Sequence, residues 1–322
     1  MKFATPYIIS KFALEILFCV APLGYIRAQF DGQISQYMYN HAMVNPAAAG
    51  ECELMQTSLL QRLQWIGVKN APVTTVVSAH TPMTIGATQH GIGIGLLSDV
   101  FGIFANQQIN FQYAYRRKFD EGVLSVGTNV GFVNIICYGD SVHMVESEYH
   151  SENDILLPMG TQSGVKFDMG LGAQYTAERW HTGLAISHLL APKVELGERA
   201  SFKIRQYMVA YGGYDFGFVD PNFKLKTSLL WASDFRSWTF HGALILNYKE
   251  KFWGGLGYRL EDAVSVMLGM EIFKGFNMGY TFDLPTNVYL VNSFGSHEFF
   301  ISYEFSFLVR KKDRSYKSIR IL

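Results

Sequence analysis

The sequence predicts an all-β fold, a transmembrane antiparallel up-and-down β-barrel of about fourteen strands. First, apolar and polar residues alternate with a period of two from Leu54 to Val309, as in strands with one apolar and one polar face. Second, aromatic residues make up 15% of the chain and charged residues only 17%, against about a quarter charged in typical soluble domains. Third, beyond the amino-terminal region no segment has the roughly twenty consecutive apolar residues that a membrane helix requires.

The first element along the chain is an export signal over residues 1–28. Lys2 and Lys11 supply positive charge, Phe12–Tyr25 supplies an apolar stretch, and Ala28 is a small residue before the expected cleavage site. A chain exported in this way that crosses a membrane with strands is expected in the outer membrane of a Gram-negative cell envelope.

Two segments flank the alternating region. Residues 29–53 are expected to form a periplasmic amino-terminal arm or plug, in which Asn45, Pro46 and Gly50 also carry an ordinary turn signal. Residues 310–322 form a basic tail that contains six Lys and Arg side chains. Such a tail serves either as a solvated or interfacial anchor or as a partner contact.

The alternating region, residues 54–309, divides into strands of about nine to twelve residues, long enough for a tilted strand to cross a bilayer. Their number is even, as in single-chain bacterial barrels. The expected strands are Leu54–Arg62, Val73–Thr81, Gly91–Ser98, Asn106–Arg117, Gly122–Cys137, Phe167–Ala177, Trp180–Leu189, Phe202–Phe216, Asn222–Ala232, Ser237–Tyr248, Phe252–Leu260, Ala263–Ile272, Gly275–Phe282 and His297–Val309.

A soluble β-sandwich would alternate in the same way, because it buries one face of each sheet. The placement of aromatic residues favours the membrane barrel. They recur near the ends of the segments, where an interfacial aromatic girdle is expected; examples are Tyr115, Tyr175, Trp180, Trp231, Trp238, Tyr248 and Phe252.

Connection lengths predict the orientation of the barrel. The longest connections, Tyr138–Lys166, Leu190–Ser201 and Asp283–Ser296, all follow odd-numbered strands and therefore leave the same end. The turns after even-numbered strands are mostly short. Outer-membrane barrels have short periplasmic turns and long extracellular loops, so both termini are expected in the periplasm.

The polar face of the strands predicts what the lumen contains. A barrel of about fourteen strands is wider than side chains alone can fill, so we expect water, a loop or the arm inside. Residues Gln33–Gly50 are the segment expected in the lumen or at its periplasmic mouth. Charged residues of both signs have the parity of the inner face, namely Arg116, Asp168, Lys224, Lys226, Arg259, Glu271 and Glu304.

No residue pattern predicts catalysis, a metal or a cofactor. The nine histidines are scattered, and His241 has no nucleophile that the sequence pairs with it. The Gly91–Gly95 run lies within a strand and opens no helix, so its glycines are expected to relieve crowding inside the barrel. Cys52 and Cys137 are expected to be unpaired, although one disulfide is possible. A net charge of +0 gives no field towards nucleic acid.

Four blocks of sequence resemble the PorP/SprF family of type IX secretion membrane proteins from Bacteroidota. The first lies in the arm and has two parts, and the others follow in the order that the family shows. The blocks are Gln33–Asn40, Asn45–Gly50, Gln61–Gly67 with Lys69, Ala71 and Pro72, Trp253–Leu260, and Gly295–Glu298.

The resemblance implies a non-enzymatic outer-membrane component of type IX secretion or gliding motility. Its expected partners are periplasmic ring or peptidoglycan-associated proteins, or a secreted surface adhesin, together with outer-membrane lipid. The alternative function is a channel or small-solute transporter. The residues expected to contact a partner or to line the lumen are Gln36, Tyr37, Asn45, Pro46, Gly50, Arg62, Trp65, Lys69, Pro72, Arg259, His297 and Glu298.

Overall fold

The computed structural model describes residues 32–139, 160–197, 200–286 and 293–306 of the chain. The signal segment and the basic tail lie outside the described residues. Fourteen antiparallel strands form a closed barrel, and two short strands form a separate sheet. The predicted fold class is confirmed. Among the described residues, no helix is long and apolar enough to cross a membrane.

The barrel strands are numbered here in chain order together with the two short ones, β8 and β9. They are β1 (Met55–Leu63), β2 (Val73–Ile85), β3 (Thr88–Phe101), β4 (Phe104–Phe119), β5 (Gly122–Tyr138), β6 (Thr161–Ala177), β7 (Trp180–Ser187), β8 (Lys193–Leu196), β9 (Ala200–Lys203), β10 (Tyr207–Gly217), β11 (Phe223–Ser233), β12 (Trp238–Tyr248), β13 (Phe252–Arg259), β14 (Ala263–Phe273), β15 (Phe276–Pro285) and β16 (Ser296–Phe305).

Strand β1 closes the barrel by pairing with both β2 and β16. Because Met55 pairs with Phe305, the first and last barrel strands begin and end on the same side. We call this side the turn end, since its connections comprise five residues or fewer, the longest being 218–222. The opposite side, which carries the connections 64–72, 139–160, 188–206 and 286–295, is called the long-loop end.

One predicted strand, Phe202–Phe216, is wrong in its first part. The segment Ala200–Lys203 is β9, which pairs with β8 in a separate two-stranded sheet, and the barrel strand begins only at Tyr207. Ile204, which follows β9, packs with Val194 of β8 and Val133 of β5 in a small apolar core. Alternation alone misled the prediction, because it does not distinguish an apolar face that meets protein from one that meets lipid.

Two of the expected connections at the long-loop end are also shorter in the structure than predicted. Strand β6 begins at Thr161, six residues before the predicted Phe167, so the segment Tyr138–Lys166 is partly strand. The segment Leu190–Ser201 contains β8 and part of β9. The hairpin of β8 and β9 packs on the inner face of β5, through Val194 and Leu196 against Ile135 and Cys137. It therefore covers part of the lumen at this end.

The barrel wall has an exposed apolar outer face and an inner face that lines the lumen. Side chains of one parity are exposed and apolar, for example Leu59, Val77 and Phe111, as a lipid-facing surface requires. Side chains of the other parity point into the lumen, where Leu60 and Phe300 are fully buried. This confirms the period-two prediction.

Candidate functional site: the arm inside the barrel

Residues 32–54 run through the lumen. Three single-turn 3-10 helices shape this arm, at Tyr37–Tyr39, His41–Met43 and Pro46–Ala48. Asn40 and Asn45 precede the second and third helices, and each side-chain oxygen accepts a hydrogen bond from the backbone two residues on. The two asparagines thus set the direction of the arm.

The arm spans the barrel from one end to the other. A Cβ atom at Gly32 would lie 2.8 Å from Cγ2 of Thr74, close to the start of β2 at the long-loop end. Gly50, with a φ of +70°, approaches Pro82 and Gly91 towards the turn end. The chain therefore passes down the lumen before it turns into β1.

The upper part of the arm is held by a buried cluster of two arginines and two carboxylates, which we call the ionic cluster. It consists of Arg62 of β1, Arg259 of β13, Asp283 of β15 and Glu298 of β16, all at most 2% exposed. The backbone N–H groups of Ser35 and Gln36 donate to the Glu298 carboxylate at 2.8 and 2.7 Å.

Opposite charges balance within the ionic cluster. Arg62 Nη2 lies 2.7 Å from Asp283 Oδ2, and Arg62 Nη1 lies 3.1 Å from Glu298 Oε2. The Ser35 hydroxyl accepts hydrogen bonds from Arg62 at 2.9 Å and from Arg259 at 2.6 Å. Buried charges of this kind persist only when they are paired and hydrogen-bonded. Ser35 is part of that pairing, so the arm completes the cluster.

Aromatic side chains fill the middle of the lumen. The Tyr37 hydroxyl accepts a hydrogen bond from Ser228 at 2.7 Å, and its ring meets His241 edge-on with 5.6 Å between centroids. The Tyr39 ring stacks on Trp253 at 4.4 Å. Burial raises the pKa of both tyrosines, so the phenols stay neutral.

Neutral hydrogen bonds hold the lower part of the arm. Asn45 Nδ2 donates to the hydroxyl of Tyr211 at 3.1 Å, and that hydroxyl donates to Gln174 Oε1 at 2.6 Å. Asn40 Nδ2 donates to the hydroxyls of Ser58 and Ser78, both at 2.8 Å. These contacts tie the arm to β1, β2, β6 and β10.

Glu51 carries a charge near the turn end. His41 Nδ1 lies 3.2 Å from Glu51 Oε1, and Gln174 Nε2 donates to Oε2 at 2.8 Å. Burial alone would raise the pKa of Glu51, but attraction to His41 and the hydrogen bonds outweigh it and lower this pKa to about 2.

Glycines in the wall make room for the arm. A Cβ atom at Gly91 of β3 would collide with the Ala49 carbonyl oxygen, and one at Gly127 of β5 would lie 2.6 Å from the Pro46 carbonyl oxygen. The expectation that glycine at Gly91 relieves crowding inside the barrel is confirmed. A cavity of about 100 Å³, lined by both polar and apolar residues, remains between the arm and strands β4–β7 and β10. It has room for several water molecules.

The structure places eight of the twelve residues selected from the sequence in the lumen. Gln36, Tyr37, Asn45, Pro46 and Gly50 lie in the arm, and Arg62, Arg259 and Glu298 line the wall around its upper part.

The other four selected residues lie elsewhere. Trp65, Lys69 and Pro72 belong to the connection between β1 and β2, where the Trp65 N–H donates to the Ser296 hydroxyl at 3.1 Å. His297 faces outwards and forms a 2.6 Å hydrogen bond with the hydroxyl of Tyr280. Adjacent His297 and Glu298 thus lie on opposite faces of the wall.

Sequence reasoning missed several residues that contact the arm or hold it. Asp283 was assigned to a loop, although it continues the polar parity of β15 and could have been found by that signal. Glu51, Gln174 and Tyr211 carried no signal, because only the fold brings them together.

Cys52 and Cys137 are free and lie towards opposite ends of the barrel. Among the described residues, no group of His, Cys, Asp and Glu could hold a metal ion.

Comparisons with known proteins give a family and a set of structural neighbours. Similar solved structures include the toluene transporter TbuX of Ralstonia pickettii, at 13% identity over 83% of this chain and 93% of that chain, with a TM-score of 0.48. The toluene transporter TodX of P. putida is 9% identical over 83% and 94% of the two chains, with a TM-score of 0.43. These are likenesses of fold. No curated protein matches the sequence.

The family comparison covers most of the chain. A family model described as type IX secretion system membrane protein PorP/SprF matches residues 26–303, which include the luminal arm and nearly the whole barrel. The match confirms the resemblance found in the arm, in β1 and its following loop, in β13 and at the start of β16. The chain therefore belongs to the PorP/SprF family of type IX secretion system membrane proteins.

Proposed function

We propose that the protein is a non-enzymatic docking component of the type IX secretion or gliding machinery in the outer membrane. Its barrel carries a luminal arm and presents loops to partner proteins. PorP/SprF proteins are secretion-system membrane components and not a family of enzymes. The observation that carries the proposal is the filled lumen, because a buried segment of the same chain occupies the passage that an open pore for solutes would need.

The ionic cluster supports the docking function, because it fixes the arm inside the lumen. A segment that merely lay in a channel would not need buried charged side chains to hold it. Here the Ser35 and Gln36 N–H groups and the Ser35 hydroxyl complete the coordination of Glu298 and Arg62. Removing the arm would leave those charges short of partners, at a cost of several kcal/mol. The arm is therefore a fixed part of the barrel.

Two connections at the long-loop end form the surface that we assign to partner contact. We call them the joined loops, residues 64–72 and 293–295. The Ile66 N–H donates to the Gly295 carbonyl at 2.9 Å, and the Phe294 N–H donates to the Ile66 carbonyl at 2.8 Å. Val68 is 44% exposed and Phe294 is 74% exposed. Exposed apolar side chains held on a braced loop are typical of interaction sites.

Loop lengths set the orientation of this surface. Short turns face the periplasm in outer-membrane barrels, so the joined loops and the Gly32 end of the arm face the cell exterior. In this orientation the end of β16 lies on the periplasmic side but the amino-terminal end of the arm does not, which departs from the expectation of two periplasmic termini. In this orientation the joined loops meet a secreted surface adhesin, and the turn end meets periplasmic ring or peptidoglycan-associated proteins. The export signal over residues 1–28 brings the chain to this membrane.

Affinity purification from native membranes tests the proposal. We expect type IX components to co-purify with the wild type. The double variant Val68→Ser and Phe294→Ser should lose its surface partner and keep its periplasmic partners. Phe235→Ser is the matched control, because Phe235 is 60% exposed at the same end of the barrel. Recovery of no secretion component with the wild type would overturn the docking function.

The second candidate function is a channel or small-solute transporter. The cavity beside the arm, whose polar lining includes Asn110, Asn129 and Asp168, is the observation in its favour. Single-channel conductance in a planar bilayer separates the two functions. A steady conductance from the wild type with its arm in place would favour the channel, whereas a closed barrel favours docking.

A further inference from the structure

Strand β6 has an open edge at the long-loop end of the barrel. It pairs with β5 along its whole length, Thr161–Ala177, but with β7 only over Leu171–Thr176. Strand β7 ends at Ser187, and the next strand of the wall, β10, begins opposite that residue. Residues 161–168 of β6 therefore extend beyond the neighbouring wall, with no described strand paired on that side. We call these residues the open edge.

The open edge carries backbone groups without hydrogen-bond partners. The Met169 carbonyl accepts from the Leu189 N–H at 2.9 Å. Odd-numbered residues of β6 therefore direct both N–H and C=O away from β5, since the two groups of one residue point to the same side in an antiparallel pair. Ser163, Val165 and Phe167 have this parity and are exposed. Within the described part of the chain, their N–H and C=O groups on this side form no hydrogen bond.

The open edge lies outside the hydrocarbon region of the membrane. Open sheet edges do not occur in contact with lipid tails, because no water is present there to bond the backbone. In the proposed orientation the long-loop end faces the cell exterior, so the open edge is available to molecules outside the cell. Eight extended residues of about 3.3 Å each give it a length of about 26 Å, which is enough to pair with a strand of ordinary length.

The usual protection of a sheet edge is missing here. Edges are commonly protected by proline, by a bulge or by a covering segment. Residues 161–168 contain no proline, and their register with β5 is continuous. The hairpin of β8 and β9 packs on the inner face of β6, where a Cβ atom at Gly164 would lie 2.5 Å from the Glu195 carbonyl oxygen, and it forms a separate sheet. It therefore leaves the edge itself unpaired.

Basic side chains lie on the inner side of the open edge. Lys166 has the inward parity and is partly buried. On the hairpin, Lys193 and Lys203 are exposed and are direct cross-strand partners, an arrangement in which like charges repel. None of the three lysines forms an ion pair within the described part of the chain. A ligand with carboxylates on this side would relieve the repulsion.

We propose, on the basis of the proposed docking function, that the open edge binds an extended segment of a secreted polypeptide by antiparallel β-strand addition. Its backbone pairs with Ser163, Val165 and Phe167, as in complexes where a peptide extends a sheet. Side chains on one face of the added strand are apolar and lie beside Val165 and Phe167, which are 59% and 48% exposed. Those on the other face are acidic and lie beside Lys166. A second copy of this chain would bring another lysine to the same place, which disfavours it.

Synthetic strands test the proposal on the purified full-length barrel in detergent. The probe is a fluorescent eight-residue peptide of alternating valine and glutamate, and its binding is measured by anisotropy. We expect saturable binding, and a peptide with lysine in place of glutamate should bind about fivefold more weakly or worse. In antiparallel addition the valine amides face β6 and the glutamate amides face away. N-methylation of the valines should therefore abolish binding, whereas N-methylation of the glutamates should leave it intact.

Variants of the open edge give a matched pair. Val165→Pro removes an N–H that points to the open side, so pairing with β5 is kept, and binding should weaken about tenfold or more. Val165→Ala keeps the N–H and should bind nearly as well as the wild type. Lys166→Gln should reduce the preference for glutamate over lysine. Folding of each variant is checked by its altered migration in unheated gels.

The possible results separate strand addition from other occupants of the edge. No saturable binding to the wild type, equal binding of the two methylated peptides, or unchanged binding by Val165→Pro would overturn the proposal. A dimer in detergent that Val165→Pro dissociates would assign the edge to a second copy and would also overturn it. If type IX components co-purify with a barrel that binds no peptide, strand addition fails and the docking function stands. Peptide binding without such co-purification would support the open edge and contradict the docking function.

Discussion

The two halves of the luminal arm are held by different physics. The upper half, at Ser35 and Gln36, is held by four charged side chains from β1, β13, β15 and β16. The lower half, at Asn45 to Gly50, is held by neutral hydrogen bonds and by glycines that admit its backbone. The comparison teaches that four buried charges fix one end of the arm, whereas shape and neutral hydrogen bonds, with the single charge of Glu51 beside them, fix the other. The two ends should therefore fail differently.

The largest effect is expected in the ionic cluster. Arg62→Met removes one cation and leaves Asp283 and Glu298 buried without it, which should cost about 3–5 kcal/mol of unfolding free energy. Urea unfolding of the reconstituted barrel measures the loss. Lys224→Met is the control, because Lys224 and Glu250 form an exposed pair, and such pairs contribute about 0–1 kcal/mol. Equal losses in the two variants would contradict the account.

A smaller effect is expected where shape holds the arm. Gly91→Ala places a Cβ atom on the Ala49 carbonyl, so that the wall or the arm has to shift, at a cost of about 1–3 kcal/mol. A cysteine introduced at Ala48 should then react faster with a maleimide. Gly217→Ala is the matched control, since no heavy atom lies within 4 Å of its Cβ position. Unchanged reactivity with Gly91→Ala would show that the wall does not clamp the arm.

Single neutral hydrogen bonds should contribute less. Tyr211→Phe removes the hydroxyl that joins Asn45 to Gln174, and we expect a loss of about 1–2 kcal/mol. Tyr258→Phe serves as the comparison, because Tyr258 is 46% exposed on the outer face. A larger loss from the outer-face tyrosine than from Tyr211 would refute the proposed role of this hydroxyl.

The smallest effect is expected at low pH, where Glu51 becomes protonated. The pKa of Glu51 is lowered to about 2 in the folded protein from an ordinary value of 4.5. Its stabilising contribution is therefore complete above pH 4.5 and is lost as the pH falls towards 2. The free energy of unfolding in urea should therefore fall as the pH is lowered from 4.5 towards 2, and Glu51→Gln should flatten that profile. A decrease confined to pH values above 5 would contradict the assignment.

Much of the wall could be predicted from the sequence, because its outer and inner faces alternate with the period of the strand. The exception at Phe202–Phe216 arose where an apolar face meets protein and not lipid. The arm was expected in or near the lumen from its family-like residues and from the width of the barrel. Its partners Gln174 and Tyr211 could not be found in the same way, since they lie far apart in the chain and only barrel closure brings them to the arm. Asp283 differs from them, because it continues the polar parity of its strand.

The central claim is that the arm belongs to the folded barrel and closes its lumen. Planar-bilayer recording tests this most directly, with the wild type compared with a variant in which residues 33–50 are replaced by a glycine-serine linker. The account predicts no steady conductance from the wild type and a steady pore from the linker variant. A steady wild-type conductance equal to that of the linker variant would contradict it.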